Sequence, residues 1–218
     1  MKKMLFILAL LLPLAGVAQN TSFGLTGRLG AYETIVSSNR SVGDNNSYGP
    51  GLQLEVGAWY RLNLTEKGAV QFTVFQALER QSGGAIMVID ESRNPLADLK
   101  TRYGNLAIGA TALFFYKHSD KLAIGAGIGA KYNYVAIMVM QELQDRGGNS
   151  VGGDDYYDNN YHRKLRVCLP LEAQLALSPR VRLVGQVQVP LSNRITASES
   201  AFKERDLGLT LGVNYALY

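Results

Sequence analysis

Residues 162–178 read HRKLRVCLPLEAQLALS. Every second position from Leu165 to Leu177 is apolar (Leu165, Val167, Leu169, Leu171, Ala173, Leu175, Leu177), and the positions between include Arg166, Glu172 and Gln174, with Lys164 just before the run. A period of two is the signature of a β-strand with unlike faces. At a rise of roughly 3.3 Å per residue the run spans about 40 Å, whereas an ordinary strand has about five or six residues. One face of this strand asks for hydrocarbon and the other for polar partners.

The same alternation recurs seven more times. Phe23, Leu25, Leu29, Ala31 and Ile35 oppose Thr26, Arg28, Tyr32 and Thr34, and Leu52, Leu54, Val56, Ala58, Tyr60 and Leu62 oppose Gln53, Glu55, Trp59 and Arg61. A weaker segment sets Val70, Phe72, Val74 and Leu78 against Gln71, Thr73, Phe75 and Glu79. Leu106 to Phe114 and Leu122 to Tyr134 follow, the latter with Gly125, Gly127, Gly129, Lys131 and Asn133 on its second face. After the opening stretch come Val181 to Leu191, against Arg182, Gln186 and Gln188, and Leu207 to Leu217, against Gly208, Thr210, Gly212 and Asn214. Eight strands are an even number, as a closed antiparallel barrel requires.

The connections alternate in length. Links near Asn63 to Ala69, Lys117 to Lys121 and Ser178 to Arg180 are brief, while those near Ser37 to Tyr48, Gln81 to Arg102, Gln141 to Asn160 and Ser192 to Arg205 are long. All long loops therefore fall at one end, the asymmetry of an outer-membrane barrel with short periplasmic turns and both termini on the periplasmic side.

The N-terminus, MKKMLFILALLLPLAGVAQN, has two lysines, an apolar run from Met4 to Leu14 and the small-residue pattern Gly16-Val17-Ala18. This is a secretory leader, with cleavage expected after Ala18, which leaves residues 19–218 as one barrel domain. Loss of Lys2 and Lys3 lowers the formal net charge from +4 to +2, which argues against a nucleic-acid partner. One cysteine, Cys168, excludes an internal disulfide framework, and no run after residue 18 has the roughly 18 unbroken apolar residues of a membrane-spanning helix.

Alternation alone also suits a soluble up-and-down barrel with its apolar face inward. Three features argue against it. The polar face is rich in Gly, Gln and Thr rather than densely charged, several strands alternate for about 11 residues, enough to cross a tilted bilayer path, and aromatic residues gather at both strand ends. Phe23, Tyr60, Phe114, Tyr116 and Tyr215 mark the short-turn end, and Tyr132, Tyr134 and Tyr161 the loop end. The fold expected is all-β, an eight-stranded antiparallel up-and-down transmembrane barrel. Pro170 and Pro190 each remove a ladder donor. Pairing across the turn at 178–180 sets Pro190 beside Cys168 and Pro170 beside Gln188, where a bulge or irregularity is expected.

An eight-stranded barrel has an interior that side chains fill. Arg28, Glu55, Trp59, Arg61, Lys131, Arg166, Glu172 and Arg182 all face inward, and such charges persist inside only when paired, so a plugged lumen is expected rather than a solute path. GAGIGAK (125–131) has the composition of a phosphate loop but lies within a strand and opens no helix, so that reading is discarded. Of the two histidines, His118 lies in a short turn and His162 follows the acidic stretch GGDDYYDNNY (152–161). His162 with Asp154, Asp155 or Asp158 could imitate a rim hydrolase, but no defining spacing supports it, and a solvated loop histidine is the expectation. No cofactor, metal or catalytic residue is assigned. The loop residues Asp154, Asp155, Tyr156 and Tyr157 are the candidates for binding an external partner.

With a leader, eight alternating strands, one-sided long loops and the C-terminus GLTLGVNYALY, the chain resembles the small outer-membrane β-barrel family that includes OmpX-like and OmpA membrane-domain-like proteins. The resemblance implies outer-membrane lipid surroundings, assembly by the barrel-insertion machinery, and a non-enzymatic role in envelope integrity, adhesion or surface interaction, with an extracellular ligand held by the long loops. Its alternatives are a rim enzyme modifying membrane lipid, a narrow channel, and an accessory of a secretion or uptake system. Family members commonly end on an aromatic residue in phase with the lipid face; here Leu217 is in phase and Tyr218 is one residue beyond. No peptidoglycan-binding domain is expected after Tyr218.

Overall fold

In a computed structural model, residues 21–38, 48–83, 86–89, 95–135, 137–145, 147–158, 162–195 and 202–218 are described. The expected leader, residues 1–18, and Tyr161 lie outside them. The strands are β1 (Thr21–Ser38), β2 (Gly51–Asn63), β3 (Gly68–Ser82), β4 (Ile86–Ile89), β5 (Pro95–Lys117), β6 (Leu122–Asn133), β7 (Ile137–Asp145), β8 (Ser150–Asp158), β9 (Leu165–Ala176), β10 (Val181–Pro190) and β11 (Phe202–Ala216).

Eight of these close on themselves. Around the ring run β1, β2, β3, β5, β6, β9, β10 and β11, and β11 pairs back to β1, each neighbour antiparallel. Closure leaves the ring without an edge, which is the condition for a sheet to sit in hydrocarbon with every backbone group paired. The eight ring strands correspond to the eight alternating segments of the sequence.

Burial is inverted relative to a water-soluble protein. Leu29, Leu52 and Leu211 are 64%, 62% and 66% exposed, whereas Glu55, Gln71, Gln186 and Thr210 are fully buried. Water on the outside would leave this belt of leucine and valine unfavourably solvated, and a lipid exterior removes that cost. The soluble alternative is thereby excluded. Phe23, Phe114, Tyr116 and Tyr215 are exposed at the turn end and Tyr132 and Tyr134 at the loop end. Gln76, the polar residue between Val74 and Leu78 on the outward face of β3, donates to the Tyr134 hydroxyl at 2.8 Å and so is not left unpaired. Tyr218, although out of phase, stacks on Phe23 with ring centroids 6.3 Å apart and joins the turn-end girdle.

Two expectations need correction. The long connections at 81–102 and 141–160 are largely strand rather than loop. β5 runs on past the ring, pairing β4 at Leu99 to Pro95 and β7 at Ala97 to Gly104, and β7 pairs β8. Period-two reading missed β4 and β7 because each holds four successive apolar residues, IMVI at 86–89 and IMVM at 137–140, with no contrast between faces. The second correction concerns the prolines. Pro170 does face Gln188, and Pro190 faces Cys168, in an unbroken β9–β10 register. The irregularity is on the other side of β9, where pairing with β6 lapses at Leu169 and Pro170 between the pairs Ala126–Leu171 and Gly129–Cys168, with no register shift and no bulge.

Inward aromatics are seated on glycines. Tyr32 pairs with Gly51, Trp59 with Gly24, Phe75 with Gly109 and Phe115 with Gly125, each directly across a strand pair. A Cβ on Gly109 would lie 2.2 Å from the Phe75 ring. Gly109→Ala is therefore expected to push Phe75 off its seat and cost about 1–3 kcal/mol, the usual range for overpacking. Urea unfolding in detergent measures this, and adding Phe75→Leu should recover part of the loss. An unchanged midpoint in Gly109→Ala would show that the ring is not held there.

Candidate functional site

Inside the wall the charges form one continuous chain. Arg61 donates to Gln174 at 2.9 Å, Gln174 to Glu172 at 2.7 Å, and Glu172 pairs with Arg28 at 3.0 Å. Arg28 faces Glu55 at 3.8 Å, and Lys131 bridges Glu55 at 3.1 Å and Glu79 at 3.0 Å. Arg166 then joins Glu79 to Asp206, and Asp206 meets Arg194 at 3.3 Å. Gln186, Gln188 and Asn105 add donors to Glu172, Glu55 and Glu79. Cations and carboxylates thus alternate from the turn end to the loop end, which is how charges withdrawn from water are kept.

All eight inward residues expected from the sequence are in the lumen. Glu79, Asp206 and Arg194 were missing from that set, although the first two lie on the inward phase of their strands. Arg194 lies outside any strand, and no periodicity could have found it. From the middle of the barrel to its loop end the spaces between these charges are small: about 40 Å³ beside Glu79, Lys131, Arg166 and Cys168, and about 10 Å³ beside Tyr103, Asn133 and His162. These hold a few waters at most.

At the loop end Arg194 lies against both the Tyr48 and the Tyr103 rings, 5.3 and 5.5 Å from their centroids, and the two rings touch each other at 5.8 Å. The Tyr48 hydroxyl donates to Glu204 at 3.0 Å, and burial pushes its pKa above the ordinary tyrosine range. His162 contradicts the expectation of a solvated loop histidine: it is only 6% exposed, lies edge-on to Tyr103 at 5.9 Å, and pairs through its backbone with Ile195. His118 is exposed in its turn, as expected.

Beyond the ring, β4, β5, β7 and β8 form a sheet that projects from the loop end. β8 carries the four candidate binding residues: Asp154 opposite Gln141, Asp155 opposite Met140, Tyr156 opposite Val139 and Tyr157 opposite Met138. Asp154 and Asp155 are exposed. The β7–β8 turn is well built. Gly148 takes the left-handed conformation (φ 81°) that a side chain resists, and the Asp145 carboxylate accepts from the Asn149 side chain and backbone, at 3.1 and 2.8 Å. Those bonds hold the Asp145 pKa below the ordinary aspartate value. Among the described residues β8 pairs with β7 alone, and no described strand covers its outer edge.

No family model matches the chain, and no curated protein matches it. Among solved structures, Neisserial surface protein A is 16% identical over 89% of this chain and 97% of its own, with a TM-score of 0.49. Ail, the attachment invasion locus protein of Yersinia pestis, solved with the heparin analogue sucrose octasulfate, is 12% identical over 90% and 99% (TM-score 0.40). The outer membrane protease OmpT of Escherichia coli is 11% identical over 91% and 95% (TM-score 0.41). Identities this low carry no activity across. The closed ladder, the inverted burial, the two aromatic girdles and the one-sided connections are properties of the chain itself, and they make it a small β-barrel of the outer-membrane type.

Proposed function

We propose that the protein is a non-enzymatic surface-interaction barrel, placed in the outer membrane by the barrel-insertion machinery, with both termini in the periplasm and the β4–β5–β7–β8 sheet outside the cell. The observation that carries this reading is the outer edge of β8, which has no partner strand among the described residues. An unpaired strand edge offers a row of backbone donors and acceptors to an incoming extended segment, and side chains beside it set the preference. Asp154 and Asp155 favour a basic partner. The filled lumen argues against a channel, and the packing of His162 under Tyr103 argues against its serving as a rim base.

Protein in lipid nanodiscs is expected to bind an extended arginine-rich peptide, and Asp154→Asn with Asp155→Asn to weaken that binding about tenfold. Equal binding by wild type and the double variant would remove the acidic edge from the proposal. Lipid mass spectrometry of expressing cells tests the enzyme alternative. A lipid modification present with wild type and lost about 10²-fold or more in His162→Gln, the loss expected for a general base, would overturn the non-enzymatic reading.

A further inference from the structure

Among the described residues, the cations of the lumen's ion chain each have a carboxylate nearby except at the turn end. Arg28, Lys131, Arg166 and Arg194 each have a carboxylate within 4.0 Å. Arg61 and Arg182 have none among the described residues. Arg61 rests on neutral oxygens, Gln174 and Asn63, and over the Phe115 ring at 5.1 Å. Arg182 lies 5.9 Å from the Trp59 ring, and its buried Nη1 has no hydrogen-bond partner among the described residues. Glu172, the carboxylate one layer deeper, is already taken by Arg28, Gln174 and Gln186.

Both guanidinium groups line a cavity of about 500 Å³ that opens at the turn end, whose rim adds Lys67, Lys117 and Lys121. Against these five cations the cavity has two carboxylates, Glu66 and Asp120, both on exposed turns, and Asp120 is held by Lys117 at 3.1 Å. Two like charges kept side by side with an unused donor need a counter-anion. Guanidinium forks match the paired non-bridging oxygens of a phosphate group, whether free phosphate or a phosphodiester, and several cations around one point strengthen the hold on those oxygens.

We propose that this cup is a binding site for a phosphate group, with Arg61 and Arg182 as its floor and the three lysines as its rim. The group is either free phosphate or the headgroup of a phospholipid from the adjoining leaflet. This inference rests on the barrel and its lumen, and is independent of the surface role of β8.

The chain has a single tryptophan, Trp59, and Arg182 stands over it, so binding has a built-in optical reporter. Folded protein in zwitterionic detergent is titrated with sodium phosphate, against sodium chloride at matched ionic strength, and followed by Trp59 emission and by calorimetry. A saturable response is expected with phosphate and not with chloride. Arg182→Gln should weaken it about tenfold or more, since a charge-assisted, potentially bidentate contact is lost, and Lys121→Gln on the exposed rim by about twofold. Lys100→Gln, at the other end of the molecule, should leave it unchanged. Retention of heat-modifiable migration shows that each variant is folded. Saturation by inorganic phosphate identifies free phosphate as sufficient, and a response only to micelles doped with phosphatidylglycerol identifies the headgroup. No saturable signal from either source by both methods, or the same affinity in Arg182→Gln as in wild type, would overturn the site.

Discussion

Glu79→Gln is expected to destabilise the barrel by about 3–5 kcal/mol, the cost of removing one partner from a buried ion pair. Glu79 is 4% exposed and holds Lys131 at 3.0 Å, Arg166, and the Asn105 amide at 3.1 Å. The amide keeps the shape of the carboxylate and loses its charge, so Lys131 must rely on Glu55 and Arg166 on Asp206. The loss arises from cations left uncompensated in a place with room for only a few waters, more than from the bonds themselves. Replacing Lys131 by Met in the same chain removes one of those cations, and Glu79→Gln with Lys131→Met should be more stable than Glu79→Gln alone. Urea unfolding in lipid vesicles, read by Trp59 emission, measures Glu79→Gln, Lys131→Met alone and the double variant against wild type. Additive losses in the double variant would mean that the two residues do not act as a pair.

Leu211→Arg should cost about 2–4 kcal/mol for the opposite reason: it places a charge in hydrocarbon rather than removing one from a polar lumen. Leu211 lies mid-strand on the outward face of β11, 66% exposed, between Leu29 of β1 and Gly185 of β10. The neighbouring Thr210 points inward and is fully buried. A shift of one residue in either direction along the strand therefore changes the environment from lipid to lumen. The same urea titration, with assembly checked by heat-modifiable migration, tests it. A loss near zero would contradict lipid contact on this face of β11.

Alternation is a local property, and this is why so much of the barrel can be read along the chain. A strand with period-two hydropathy has only one way to face a bilayer, so Leu165 to Leu177 points outward and Arg166, Glu172 and Gln174 point inward whatever their neighbours are. The faces of all eight ring strands, the short turns, the inward charges and the pairing of Pro170 with Gln188 follow from that rule alone. Where both faces are apolar, as in IMVI and IMVM, the rule has nothing to act on, and β4 and β7 emerge only from their pairing with β5. His162 likewise reads as a loop residue because nothing near it in sequence announces Tyr103.

What tertiary structure decided is which inward residue meets which. Arg61 and Gln174 lie 113 residues apart, and only strand order and register bring them to 2.9 Å. The seating of Phe75 on Gly109 and Phe115 on Gly125, the order of the ion chain and the outer edge of β8 depend in the same way on pairings between distant segments. So does the unbalanced pair at the turn end, because a charge is unpaired only with respect to its neighbours in space. The amino-acid sequence by itself determined the barrel and the face of each residue, since these depend on the contrast between hydrocarbon and polar surroundings repeated every second residue. The contacts that fill the lumen, and that leave Arg61 and Arg182 without a carboxylate among the described residues, were decided by register, which is set between strands and not within them.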